Sequence, residues 1–216
     1  MEIYKSNYPE LINFNLQKII RHYIRFGKRE NRTLPPPQKI TIITACSRPE
    51  NIKIIKDSLN FDYIDKWIIV YDGKKVENIQ GINQPQIKEH IFTDQESIKG
   101  TAQRNYALTF VENGFIYFLD DDNFIHPNFY LLLHFVELGK FYTFNQENNK
   151  QILKGNKIQL RKIDTSMFLI DYALTNGHLW KNDDLHDGKY ISTINFFYPD
   201  KWVWINETLS YYNKLT

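Results

Sequence analysis

The chain has 216 residues, of which 42% are hydrophobic and 24% charged, so it is an ordinary globular chain of one domain or one domain plus a small appendage. Its net charge of +2 makes no case for nucleic acid, and its one cysteine, Cys46, excludes an internal disulfide and suits a reducing compartment. The start is polar and no apolar run reaches the length of a membrane span, so the expectation is a cytoplasmic protein without leader or transmembrane helix.

Residues 1–34 hold seven Lys/Arg against three Glu, a local balance of +4, which leaves −2 for the rest. Within them, Leu11, Ile12, Leu16, Ile19, Ile20, Tyr23 and Ile24 recur at helical spacing and predict an amphipathic helix over residues 8–30. Lys18, Arg21, Arg25, Lys28 and Arg29 share its opposite surface. Such a helix either packs on the domain with a solvated basic face or touches an anionic membrane surface peripherally. Pro35-Pro36-Pro37 is a stiff spacer, so the expected division is a basic helix and spacer over 1–37 and a main domain over 38–216.

From Lys39 to Ala45 the pattern predicts a first strand, followed by the polar turn Thr44 to Glu50 and a helix from about Pro49 to Leu59. Trp67 to Tyr71 predicts a second buried strand, ending in Asp72-Gly73; residues 74–88 read as loop and Lys88 to Phe92 as a short strand. Gly100 to Val111 predicts a helix with Thr101 as its cap. Phe115 to Leu119 then runs as a buried strand into Asp120-Asp121-Asp122-Asn123. The order β-α-β-β-α-β implies a mostly parallel central sheet flanked by helices, an α/β fold of Rossmann-like type. Beyond it come a helix from Pro127 to Leu138, a strand from Lys140 to Asn145, a hairpin or loop over 147–155 and a pairing segment at Ile158 to Leu160. Asp164 to Ile170 reads as a strand, Tyr172 to Trp180 as helical, Asn182 to Asp187 as an acidic cluster before a helix, and Trp202 to Ile205 as the last strand.

In open α/β sheets ligands bind in the crevice at the carboxyl ends of the strands. Polar or charged residues follow three predicted strands: Thr44 to Arg48, Asp72-Gly73 and Asp120 to Asp122. Three adjacent carboxylates repel one another, and a divalent cation with a taste for hard oxygen, such as Mg2+ or Mn2+, removes the conflict. An acidic turn is the simpler alternative. Arg104 and Asn105, near the start of the preceding helix, fall close to the triplet, where a guanidinium pairs phosphate or carboxylate. The second acidic cluster, Asp183, Asp184 and Asp187, offers either a general base or a helix cap. His178 and His186 are possible metal ligands, and Phe141, Tyr142, Phe144, Trp180, Phe196, Phe197 and Tyr198 could stack on sugar or fill the core. Walker, dinucleotide, zincin and nucleophile-elbow motifs are missing from the sequence.

The ordered set Thr44-Ala45-Cys46-Ser47-Arg48-Pro49, Asp72-Gly73, Gly100-Thr101-Ala102-Gln103-Arg104-Asn105 and Leu119 to Asn123 with His126-Pro127 resembles a GT-A glycosyltransferase of family 2 type, over residues 38–190. The resemblance implies a GT-A fold, a nucleotide-diphosphate sugar donor, Mn2+ or Mg2+, and a glycan or lipid-linked acceptor; the abundance of Ile, Lys and Asn is that of an AT-rich coding source, compatible with a bacterium making a surface polysaccharide or lipid-linked glycan. By motif position it implies Thr44, Ala45, Ser47 and Arg48 along the nucleotide, Asp72 at the base, Arg104 at the diphosphate, and Asp120 and Asp121 on the donor. Asp122, with Asp120, would hold the metal. Asp184 matches the base of inverting members, with Asp183 and Asp187 as rivals, because the usual Glu-Asp pair reads Asp183-Asp184 here. A non-catalytic nucleotide-sugar or glycan-binding module of the same fold is the alternative.

Overall fold

The computed structural model describes residues 1–73, 84–92 and 98–215. Its centre is a single sheet whose first four strands are parallel: β1 (Ile40–Cys46), β2 (Ile64–Tyr71), β3 (Ile87–Ile91) and β4 (Phe115–Phe118), in the order β3-β2-β1-β4. β1, β4 and the second half of β2 are apolar runs, as strands covered on both faces require, whereas the edge strand β3 carries Lys88, Glu89 and His90. Alternation splits β1 and β4 between two layers: Ile40, Ile42, Phe115 and Tyr117 face one, and Ile43, Ile116 and Phe118 the other. The expected loop at 74–88 lies mostly outside the described residues; Ile87 and Lys88 belong to β3.

The sheet then turns over. β8 (Phe168–Asp171) lies antiparallel to β4 and to β6 (Phe141–Asn148), and β9 (Trp202–Tyr211) runs parallel to β6 and pairs with the two-residue β5 (Phe124–Ile125). β7 (Gln151–Leu153) folds back on β6 through Asn149 and Lys150, both at positive φ, the backbone of a tight two-residue hairpin. The strand partner is therefore 151–153; Ile158 to Leu160 forms no strand.

Helices close both faces. On one side lie α1 (Glu2–Asn7), α2 (Leu16–His22), α3 (Ile52–Ser58) and α5 (Asn128–Leu132); on the other lie α4 (Thr101–Leu108) and α6 (His186–Phe197). The helix expected over 8–30 is broken: the Asn15 side chain accepts the Lys18 amide and starts α2 afresh, and Tyr23–Gly27 widens into a π turn. Tyr4, Leu11, Ile19 and Ile20 are fully buried in the layer that holds Trp67 and Phe135. The helix expected to run to Leu138 stops at Leu132, and the one expected over 172–180 is a single turn, Tyr172–Thr175. Thr101 does not cap α4; Gly100 occupies that position at φ +76°, and the Thr101 hydroxyl donates to Asn182 Oδ1. A Cβ on Gly100 would stand 2.6 Å from that of Ala45, so glycine lets α4 start against the end of β1.

Candidate active site

The carboxyl ends of β1, β2 and β4 open on a cleft of about 470 Å3. Ala45, Ser47, Arg48, Asp72, Arg104, Asp120, Asp121, Asp122 and Asp187 line it. Thr44 does not: alternation turns it inward, fully buried, where its hydroxyl oxygen accepts the Trp67 indole N–H at 3.0 Å. The Thr44 side chain is thus turned away from the cleft by the pleat of the strand.

Asp121 is 3% exposed and bound on every side. Its Oδ2 accepts the backbone N–H groups of Ser47 and Arg48 at 2.6 and 2.7 Å and the Ser47 hydroxyl at 3.1 Å. Its Oδ1 accepts Arg48 Nε at 3.0 Å and Nη2 at 2.8 Å. The middle acid of the triplet thus fixes the loop after β1. Arg48 Nη2 also stands 2.8 Å from Asp122 Oδ2. Burial raises the Asp122 carboxyl above its ordinary range, with Arg48 opposing. The Asp122 carbonyl accepts the amides of Lys214 and Leu215, so the segment after β9 brings Tyr212 and Asn213 to the cleft rim.

Arg104 is buried, lies 4.8 Å from the Trp180 ring centre, and donates to Lys99 O at 2.8 Å and to Asp120 Oδ1 at 2.6 Å. Its neighbour Asn105 is spent on structure, bonding the Trp180 backbone at 3.0 and 2.8 Å. Asp72 accepts Gln103 Nε2 at 3.2 Å.

Of the second acidic cluster only Asp187 reaches the cleft, in the first turn of α6. Thr165 donates to its Oδ1 at 2.5 Å, and His186 Nε2 lies 2.9 Å from the same oxygen while Nδ1 faces Asp183 O at 2.8 Å. Burial opposes its ionisation, but His186, Arg104 and Thr165 together hold its carboxyl below the usual range. Asp184 stands 83% exposed outside the lining, 3.7 Å from Lys99 Nζ. Asp183 accepts the Leu185 amide and pairs with Lys189 at 2.5 Å. Of the three acids, the structure therefore places Asp187 in the cleft lining and leaves Asp183 and Asp184 outside it.

The sequence reading missed Asp164, which it placed at a strand start. Asp164 caps the turn Thr165–Met167, accepts Gln146 Nε2 at 3.1 Å, and lies within electrostatic reach of Asp120 and Asp187. Burial raises its carboxyl to about 7 and that of Asp120 to about 6; each carboxylate disfavours ionisation of the other. His178 stacks on Phe197 at 4.9 Å, away from the lining residues. Phe141, Tyr142, Phe144 and Trp180 are core, whereas Phe196 and Phe197 are exposed.

Among the described residues no three His, Cys, Asp or Glu side chains form a ready-made metal cage. The donor chemistry nevertheless fits a divalent cation. Six carboxylates line the cleft (Asp72, Asp120, Asp121, Asp122, Asp164, Asp187) against Arg48, Lys99 and Arg104, and three of them, Asp120, Asp122 and Asp164, are raised first by burial and then by neighbouring carboxylates.

The fold is a mixed α/β one of the glycosyltransferase kind. The structure of S. aureus TarS 1-349 matches it with a TM-score of 0.57 at 14% identity, over 81% of this chain and 60% of that one. A longer S. aureus TarS structure matches at 0.53 and 12%, over 81% and 36%. The mannosyltransferase PcManGT from Pyrobaculum calidifontis, in complex with GDP-Man and Mn2+, matches at 0.57 and 11%, over 92% and 68%. This chain therefore spans less than two thirds of either TarS chain. No protein-family model and no curated protein matches it.

Proposed function

We propose that the chain is a glycosyltransferase that moves a sugar from a nucleotide-diphosphate sugar to an acceptor hydroxyl with inversion. The observation that carries this reading is the convergence of Asp120, Asp122, Arg48, Arg104 and Asp187 on one cleft at the strand ends. The fold shared with a mannosyltransferase structure that holds GDP-Man and Mn2+ supports it.

In this reading Ala45, Ser47, Arg48 and Asp72, which all line the cleft, take the nucleotide of the donor. Arg104, fixed on Lys99 O and stacked by Trp180, presents a buried guanidinium to a departing diphosphate. Asp122 with Asp120 would hold Mn2+ or Mg2+, which when bound neutralises charge on the leaving group. Asp187, kept ionised and oriented by His186 and Thr165, takes the proton from the acceptor hydroxyl. The acceptor oxygen forms the new bond to the anomeric carbon, and the electron pair of the broken bond leaves on the diphosphate. Asp121 touches no reacting atom in this scheme; it holds the loop that carries Arg48.

The test is to incubate the chain with a panel of sugar nucleotides, with and without Mn2+, and follow release of nucleoside diphosphate and free or transferred sugar. Metal-dependent release supports the reading. Tight sugar-nucleotide binding with no turnover on any acceptor would make the chain a binding module instead.

A further inference from the structure

One side of α2 and its π turn carries a stripe that the domain does not cover. The inward side is given by Ile19 and Ile20, both fully buried, and by the buried Gly27. Gln17 Nε2 and Arg21 Nε donate to Glu207 Oε1 at 2.9 and 2.6 Å, and Arg21 Nη2 donates to Asn206 O at 3.0 Å, which fixes the segment on β9. Lys18, His22, Arg25, Phe26 and Arg29 recur at steps of three and four and share the outward side.

The stripe is continuous. Lys18 Nζ lies 6.0 Å from the centre of the Phe14 ring. That ring meets His22 edge-on at 5.9 Å, and His22 meets Phe26 at 5.4 Å. The Arg29 guanidinium stands 6.0 Å from the Phe26 ring centre and donates to Arg25 O at 2.7 Å. Phe26 is 47% exposed.

Its charge is unmatched. Glu10 and Glu30 are both taken by Arg32, and Glu207 by Arg21. Lys18, Arg25 and Arg29 are exposed and have no carboxylate partner among the described residues. A solvated basic face accounts for these cations but not for the rings laid between them. A protein interface accounts for the rings but tends to leave lysine out of its centre. A bilayer surface takes both: aromatic rings settle at headgroup depth, while the stems of Lys and Arg lie along apolar surface and their heads reach lipid phosphates. Unmatched positive charge makes the complementary surface an anionic one.

We propose that this face, from Phe14 to Arg29, docks the chain on an anionic lipid bilayer, with Phe14 and Phe26 entering the headgroup region and Lys18, Arg25 and Arg29 meeting lipid phosphates. The contact is peripheral, since no described helix is long and apolar enough to cross a membrane. It is independent of the transferase reading, because none of these residues lines the cleft.

The experiment mixes the full chain with vesicles of phosphatidylcholine alone, with vesicles of phosphatidylglycerol and phosphatidylcholine in equal parts, and with heparin, a polyanion without a bilayer. Wild type is compared with Arg25→Gln/Arg29→Gln, Phe26→Ser and Phe26→Trp, and the Tm of each variant reports its fold. In cosedimentation wild type should prefer the anionic vesicles by at least about tenfold. The double Gln variant should lose about tenfold or more, at roughly fivefold per cation beside the surface. Phe26→Ser keeps every charge and should still lose about fivefold. The indole added in Phe26→Trp should shift its emission to the blue on anionic vesicles, a readout that needs no loss of binding. Equal binding to the two vesicle types, an unchanged double Gln variant, or an added indole that stays in water at saturating anionic lipid overturns the proposal. Binding to heparin and to anionic vesicles alike that Phe26→Ser leaves intact marks a plain polyanion site and overturns it too.

Discussion

Arg48 and Asp121 meet through three donors at once: the Arg48 backbone amide, its Nε and its Nη2 all point at one carboxylate, at 2.7, 3.0 and 2.8 Å. The acid is 3% exposed and the arginine side chain 40%. Removing the buried partner of such a set leaves two amides and the Ser47 hydroxyl without an acceptor and the guanidinium with Asp122 alone. Asp121→Ala should therefore destabilise the chain by about 2–4 kcal/mol. For a protein of this size that is a drop in Tm of roughly 5–15 °C. Differential scanning calorimetry checks it; a Tm within about two degrees of wild type would falsify the structural role of the middle acid.

Asp122 should behave differently. It shares Arg48 with Asp121, so Asp122→Asn leaves the arginine anchored. The variant should keep its fold and lose the extra thermal stabilisation that Mn2+ gives with a sugar nucleotide present. About 100-fold excess of ligand over its Kd stabilises by about 2.7 kcal/mol, an easily read shift. An unchanged Mn2+-dependent shift in Asp122→Asn would remove Asp122 from the metal site.

The competing acids of the second cluster separate cleanly. Asp187→Asn should lower kcat by about 10²- to 10⁴-fold, the usual worth of a general base. Asp184→Asn, on an exposed side chain outside the cleft, should change kcat less than about twofold. Steady-state kinetics with donor affinity measured in parallel decides between them. The reverse order would restore Asp184 as the base.

Asp164 gives the structure a signature in pH. Its folded carboxyl is raised to about 7 by burial, above its unfolded range, so its protonation stabilises the fold. That stability is fully present below about pH 4 and is lost as pH rises through about 7. Asp164→Asn mimics the protonated form. It should gain on the wild type by on the order of 1–3 kcal/mol at pH 8 and by little at pH 4. Parallel melting curves of the two proteins across that range test the sign; a difference constant with pH means Asp164 does not titrate as its burial requires.

Much of the parallel half of the sheet was legible because β1, β4 and the end of β2 are apolar runs between turn residues, and β3-β2-β1-β4 follows from right-handed crossovers. The triplet at the end of β4 was legible for the same reason. Its middle residue was not, since its amide partners, Ser47 and Arg48, lie over 70 positions away. Asp187 and Asp184 are three apart in sequence, and nothing in that spacing says where α6 begins; the start at His186 turns one inward and leaves the other in solvent. The direction of the Thr44 side chain was not legible either: just before the strand's last residues, the pleat points it at Trp67. Asp164 and Tyr212 stayed hidden because they flank β8 and β9, strands from the far half of the chain, and no local period records such a return. The broken helix at the N-terminus reflects tertiary packing of Tyr4, Leu11, Ile19 and Ile20 overriding a recurrent apolar pattern.

The single guanidinium of Arg48 satisfies two acids with one Nη2. An anion that draws that nitrogen away uncovers Asp122, and a cation that claims Asp122 releases the nitrogen to an anion. The two ligands therefore help each other, and thermodynamic reciprocity demands that each raise the other's affinity by the same factor. Such a cleft fills in concert, at low concentrations of both ligands, where either one offered alone would hold weakly.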